Sequence, residues 1–214
     1  MPLPMVHLSV AKLLIEEHGL TPNNPGSFYL GSISPDAIHM RAGSTGKDKG
    51  VTHLNMRGMP DRQKYLEEFK QNNTAPKDDF ELGYLVHVLT DVLWAMHVIE
   101  EVFGSNYAKD ANPALPNKEA YYNDTDFLDN QLYATMPWRK DVWALLQNAP
   151  SQEMPGLLTA QEVDAWRVRT LTWFDTFTKP LNPIKYLSMA EIESFLAKGA
   201  AEISSLLKDL TGAV

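Results

Sequence analysis

The chain has 214 residues, a formal charge of −8, 44% hydrophobic residues and no cysteine. That length and balance suit one globular domain with a full core, and the missing cysteines exclude disulfides, zinc–thiolate sites and a thiol nucleophile. The acidic balance speaks against an extended nucleic-acid surface, but a small anionic substrate remains compatible with it wherever bound cations reverse the local sign. The first residues lack a basic n-region, and Lys12, Glu16 and Glu17 interrupt the apolar stretch behind them. No signal peptide is therefore expected, and a cytoplasmic location is the simplest reading.

Taken in chain order, the predicted elements are nearly all helical. Val6, Val10, Leu13 and Leu14 place a helix over 6–18, stopped by Gly19 ahead of Pro22 and Pro25. The run SFYLGSIS at 27–34 reads as a loop or helical turn rather than a strand, because Pro35 follows it. Residues 41–51 (RAGSTGKDKGV) read as a flexible, basic, glycine-rich loop without the spacing of a phosphate-binding loop. A short helix follows at 60–71, with Pro60 near its first turn. Asp78 or Asp79 caps the longest helix, which runs to about Phe103 and ends near Gly104. Its apolar run from Tyr84 to Ile99 is broken by His87, Asp91 and His97, which argues against a membrane span. Beyond a proline-rich connection at 112–117, helices are expected at roughly 118–134, 137–148, 159–179 and 188–210, with Trp166, Trp173 and Phe177 as core. The expected fold is all-α, one irregular helical bundle over residues 1–214.

Four of the six histidines stand with two aspartates in one ordered series: His7, Asp36, His53, His87, Asp91 and His97. Neutral imidazole and carboxylate together are the ligand set of borderline divalent metals, zinc above all. His87 and Asp91 are one turn apart on one helical face. His97 lies about 9 Å further along the axis and roughly 120° round it, so it implies a second ion or a bent helix. Each residue also has a plainer reading. His87 and Asp91 form a hydrogen-bonded couple, Asp36 caps a helix beginning at Ala37, His53 sits in a loop and His7 packs under a neighbouring turn.

Four segments carry a family resemblance: Met1-Pro-Leu-Pro-Met-Val-His7, Phe28-Tyr-Leu-Gly-Ser-Ile-Ser-Pro-Asp36-Ala-Ile-His39, Thr52-His53-Leu54 and Gly83-Tyr-Leu-Val-His87-Val-Leu-Thr-Asp91. Together they resemble the zinc-dependent phospholipase C-like hydrolases, which belong with the single-strand-specific zinc nucleases. The resemblance covers roughly residues 1–104. It implies an all-α fold holding one to three zinc ions, or other divalent metals, in a cleft between helices. It assigns His7, Asp36, His53, His87, Asp91 and His97 as ligands, with Asp91 as a bridge and His97 at a third ion. Two departures stand out. The family's N-terminal Trp falls on Pro2, and no histidine follows His97 to supply the closing H-x-x-x-E/D pattern. Replacement carboxylates are available at 121–129, Asp126 above all, although Asp124 or Asp126 capping a solvated helix start is equally compatible. His39 is expected to orient Asp36.

The function this implies is hydrolysis of a small phosphodiester or phosphomonoester by metal-activated water, with Asp36 as general base. Tyr29, Trp94, Tyr121 and Tyr122 are candidates to line a pocket for a base or acyl group, or else are core. Helical phosphohydrolases of the HD type rank lower, since the sequence has no adjacent His-Asp pair. A non-catalytic helical module with a degenerate zinc cluster is the main alternative.

Overall fold

The computed structural model describes residues 3–55, 61–72, 75–178 and 182–211. Among these the fold is all-α, and the one extended pairing is an isolated bridge between Met154 and Leu158. Its axis is α5 (Asp79–Trp94), which continues without a break as a π-helical stretch (Ala95–Gly104) and then α6 (Ser105–Lys109). The Asp78 carboxylate caps α5 by accepting from the Glu81 amide at 2.8 Å, satisfying one of the donors a helix start leaves free. Every residue from Gly83 to Trp94 is buried, so this helix has no solvent face, as a central core helix requires. Length and hydropathy alone would let Asp79–Lys109 cross a membrane, yet 78% of its apolar window is buried inside the protein.

Around this axis stand α1 (Pro4–Glu16), α2 (Pro25–Gly31), a 3-10 turn (Ser34–Met40), α3 (Gly46–Thr52), α4 (Arg62–Asn72) and α10 (Met189–Thr211). The bundle is completed by α7 (Asn117–Thr135), α8 (Arg139–Asn148) and α9 (Ala160–Thr176). One continuous apolar cluster joins them, from Met5 and Leu8 on α1 through Phe28, Tyr84 and Trp94 to Phe195 and Ile203 on α10.

The closest helix contact is between α2 and α5, where two glycines face each other's backbone. A Cβ on Gly31 would lie 2.1 Å from the Phe80 carbonyl oxygen, and one on Gly83 would lie 2.0 Å from that of Phe28. Only the absence of side chains lets the two backbones meet. The Asn24 amide also donates to Asp79 at 2.6 Å, pinning the two helix starts together.

Four sequence expectations change. Residues 27–34 lie partly in a true helix, α2, begun by Pro25 and capped by Asn24, whose side chain accepts from the Ser27 amide. The glycine-rich 41–51 segment contains α3, because Thr45 and Asp48 form a reciprocal capping box. Asp124 and Asp126 stand in the middle of α7 rather than at its start, and both are buried. Asp124 accepts from the backbone amides of Lys185, Tyr186 and Leu187 at 2.7–3.3 Å, anchoring the segment ahead of α10. Gly104 does not end its helix, since its φ of −58° is helical. The expected start of α4 at Pro60 lies outside the described residues.

Gly31→Ala and Gly83→Ala should each destabilise the protein by on the order of 3 kcal/mol or prevent folding. Gly50→Ala, in open space on α3, should be neutral or stabilising by up to about 1 kcal/mol. Urea denaturation of the three variants measures the contrast.

Candidate metal centre

The α2–α5 contact that the glycines permit also positions the site. His87 lies one turn beyond Gly83, and its Nδ1–H donates to the Ser32 carbonyl at the end of α2, 2.9 Å away. A carbonyl only accepts, so Nδ1 carries the proton and the Nε2 lone pair points inward. His53 is set in the same way. It is the C-cap of α3, its Nδ1–H donates to the Lys49 carbonyl at 2.8 Å, and its Nε2 is left free. The end of α3 is held against α5 by the Tyr84 hydroxyl, which donates to the Thr52 carbonyl at 2.5 Å.

Five of the six ligands expected from the series converge. His7 from α1 stacks on His87 with ring centroids 3.8 Å apart and planes within 5°. Its Nε2 is 3.6 Å from Asp91 Oδ1. His53 Nε2 lies 3.5 Å from both Asp36 Oδ1 and Asp91 Oδ2. These side chains form two overlapping triads, His7–Asp36–His87 and His53–His87–Asp91, with ligand atoms inside each within 4.8 Å of one another. All five residues are at most 8% exposed.

Distances of 3.5 Å and more are too long for good hydrogen bonds. Both ring nitrogens of His7, Nε2 of His53 and His87, and both oxygens of Asp91 are buried without a hydrogen-bond partner among the described residues. A buried polar atom left unsatisfied costs about 1–3 kcal/mol, and more if charged. Folded proteins leave few such atoms, so six in one place need a reason. An ion of the divalent transition series fits that donor set, with imidazole lone pairs and a carboxylate aimed at common space and two of the imidazoles oriented by backbone carbonyls.

Burial holds the His7 imidazole well below its ordinary pKa, and the neighbouring His87 adds to this. His87 is lowered by burial too, although Asp91 and Asp36 oppose the shift. Burial alone would raise the Asp36 carboxyl, but the Lys49 ammonium 2.6 Å away carries it well below the carboxylate range. His7 and His87 are thus neutral bases and Asp36 an ionised acid at neutral pH, the protonation that metal binding requires.

His97 does not join the cluster. On the wider π-helical turn it faces α10, where its ring nitrogens meet Glu202 at 3.4 Å and Lys198 at 3.2 Å, with Glu101 of its own helix at 3.3 Å. Pro2 lies outside the described residues. Asp126 belongs to neither triad and lines a cavity of about 660 Å³ together with Asp36, His39 and Lys49. Of the five clustered residues, Asp36 is the one that reaches this cavity.

Two cations there were not anticipated from the sequence. Lys49 is buried, and its Nζ donates to Asp36 Oδ1 at 2.6 Å and to His39 Nε2 at 2.8 Å. His39 Nε2 is itself 3.7 Å from Asp36 Oδ1, too far for a hydrogen bond, so the lysine links the two. The capping box at Thr45–Asp48 was the signal for it, because it starts a helix that puts Lys49 one turn before His53. Arg169 on α9 lies over the rings of Trp166 and Trp173, with its guanidinium carbon 4.7 and 4.6 Å from their centroids. These two tryptophans line the cavity. Trp94 and Tyr121 instead pair with each other in the core through a 2.8 Å hydrogen bond, and Tyr29 is buried. The cavity's α9 wall is fixed by Arg41, whose Nε and Nη2 donate to Glu162 at 2.6 and 2.9 Å and hold that carboxyl at a pKa of about 2.

The chain matches no protein-family model, no curated protein and no solved structure.

Metal-free protein should lose stability as pH falls below about 6.5, the ordinary histidine value. There the unfolded chain takes up protons that buried His7 and His87 refuse, which favours unfolding. Asp129 contributes the opposite slope from about pH 4 upward, because burial raises its folded pKa. Urea midpoints in chelator between pH 8 and 5.5 should therefore fall with acidification, and a flat profile would contradict this electrostatic picture.

Proposed function

We propose that the protein is a metal-dependent phosphoric ester hydrolase of the phospholipase C-like kind, acting on a small phosphodiester or phosphomonoester with zinc as the natural metal. The observation that carries this reading is the convergence of six unpartnered buried ligand atoms beside a cavity that bears cations.

His7, His53, His87, Asp91 and Asp36 form the centre that would hold the metal, in two triads that share His87. A bound divalent ion supplies Lewis acidity and lowers the pKa of water from 15.7 to about 7. Asp36 is the member of the centre open to the cavity, so its carboxylate is able to accept a hydrogen bond from an attacking water and orient it. Its depressed pKa keeps it ionised across the neutral range. Arg169 suits the substrate's phosphoryl oxygens. Its planar fork has no hydrogen bond or ion pair among the described residues, and two tryptophan faces hold it in place. Trp173 and Tyr122 offer an apolar wall to the ester's substituent.

A second reading, a metal-holding module without turnover, draws on the burial of His7, His53, His87 and Asp91 away from the cavity wall. A panel of phosphodiesters and phosphomonoesters with zinc, manganese or nickel separates the two. Turnover abolished by chelator supports the hydrolase, whereas retained metal with no turnover on any ester supports the module.

His87→Ala and Asp91→Ala should each remove most bound metal, measured by elemental analysis, and with it phosphoesterase activity. Asp36→Asn should lower kcat at least about a hundredfold. Arg169→Ala should raise KM about tenfold with kcat largely kept, the pattern of lost ground-state binding. Steady-state kinetics on one active ester checks both.

A further inference from the structure

The two triads share His87 but are not equivalent. In His7–Asp36–His87, the carboxylate already has a cation: the Lys49 ammonium, buried and 2.6 Å from Asp36 Oδ1. In His53–His87–Asp91, both carboxylate oxygens and the inward imidazole nitrogens lack any partner among the described residues. The charges in this volume are those of Asp36, Asp91 and Lys49, since its imidazoles are neutral when they ligate. Lys49 cancels Asp36 and leaves Asp91 uncompensated. Burying an unpaired carboxylate is expensive, and so is burying surplus positive charge. One divalent ion answers Asp91, whereas further ions would stack positive charge against a resident ammonium a hydrogen bond away from their carboxylate.

We propose that Lys49 is a built-in cation that takes the place of a metal ion at the Asp36 triad, so that the centre holds a single divalent ion, ligated by His53, His87 and Asp91. The geometry favours Lys49 as a permanent occupant. It sits on α3 one turn before His53, so the helix that presents the ligand also presents the ammonium, and His39 Nε2 accepts a second of its protons at 2.8 Å. The proposal rests on the metal-centre reading above but makes a separate claim, about the number of ions and what sets it.

The test counts ions, not turnover. The intact protein is loaded with zinc, dialysed and assayed for zinc per chain, and cobalt titration followed by its d–d absorption gives a second count. Wild type should take one ion. Lys49→Met, which removes the ammonium but keeps the apolar stem, should free Asp36 and raise the count to two. Lys49→Arg, which restores a cation, should return it to one. Two or three tightly held ions in wild type would overturn the proposal while leaving the metal centre standing. A folded Lys49→Met protein still holding one ion would overturn it as well. No ion in wild type would remove the metal-centre reading and this inference together. Should Lys49→Met fail to fold, the wild-type count decides.

Discussion

The structure is organised around one electrostatic problem, the burial of Asp91 in a helix that has no solvent face. A carboxylate there must find donors or a cation, and among the described residues none donates a hydrogen bond to it. His53 and His7 approach it at 3.5–3.6 Å, with the first presenting a lone pair rather than an N–H. A chain that merely hydrogen-bonded its buried acid would have turned the His53 ring the other way. The backbone carbonyls of Ser32 and Lys49 hold two rings with their bases inward, so the arrangement is preorganised for something positively charged.

Other buried acids of the same chain show what the alternatives look like. Asp124 gathers three backbone amides and needs no metal. Asp129 reaches the start of α1, accepts from the Met5 amide at 3.0 Å, and is pushed toward its protonated form by burial. Asp36 has a lysine. Against these three solutions (amides, protonation, an ammonium), Asp91 is the acid with neither oxygen partnered among the described residues. This contrast within a single fold is a stronger argument for an ion than the residue types alone.

The relation between cluster and cavity shapes the chemistry. His7, His53, His87 and Asp91 lie behind the wall and Asp36 lies in it, so the cavity meets the cluster through that one carboxylate and its lysine. The α9 wall opposite, clamped by the Arg41–Glu162 pair, presents Arg169 already held between two rings. Part of the entropy of ordering an anion-binding side chain is thereby lost on folding, before a ligand arrives.

Much of this was legible in residue order. Hydrophobic periodicity, the Asp78 cap and the proline breaks placed most helices within a few residues, because those signals act locally. The i, i+4 spacing of His87 and Asp91 likewise put both on one face before any fold was known. Helix α3 was missed where glycine and lysine content outweighed a four-residue capping box, and with it went Lys49. His97 illustrates the limit of spacing arguments: six residues beyond Asp91, its direction depends on a π-helical stretch and on α10, an element more than a hundred residues away. By itself the sequence determined the all-helical character and a set of metal-capable side chains, since periodicity and ligand chemistry belong to short segments. Only the tertiary structure decided which of those side chains meet, which acid receives a lysine, and which tryptophans line a cavity. Those outcomes depend on how closely distant backbones approach, and here that was set by two facing glycines.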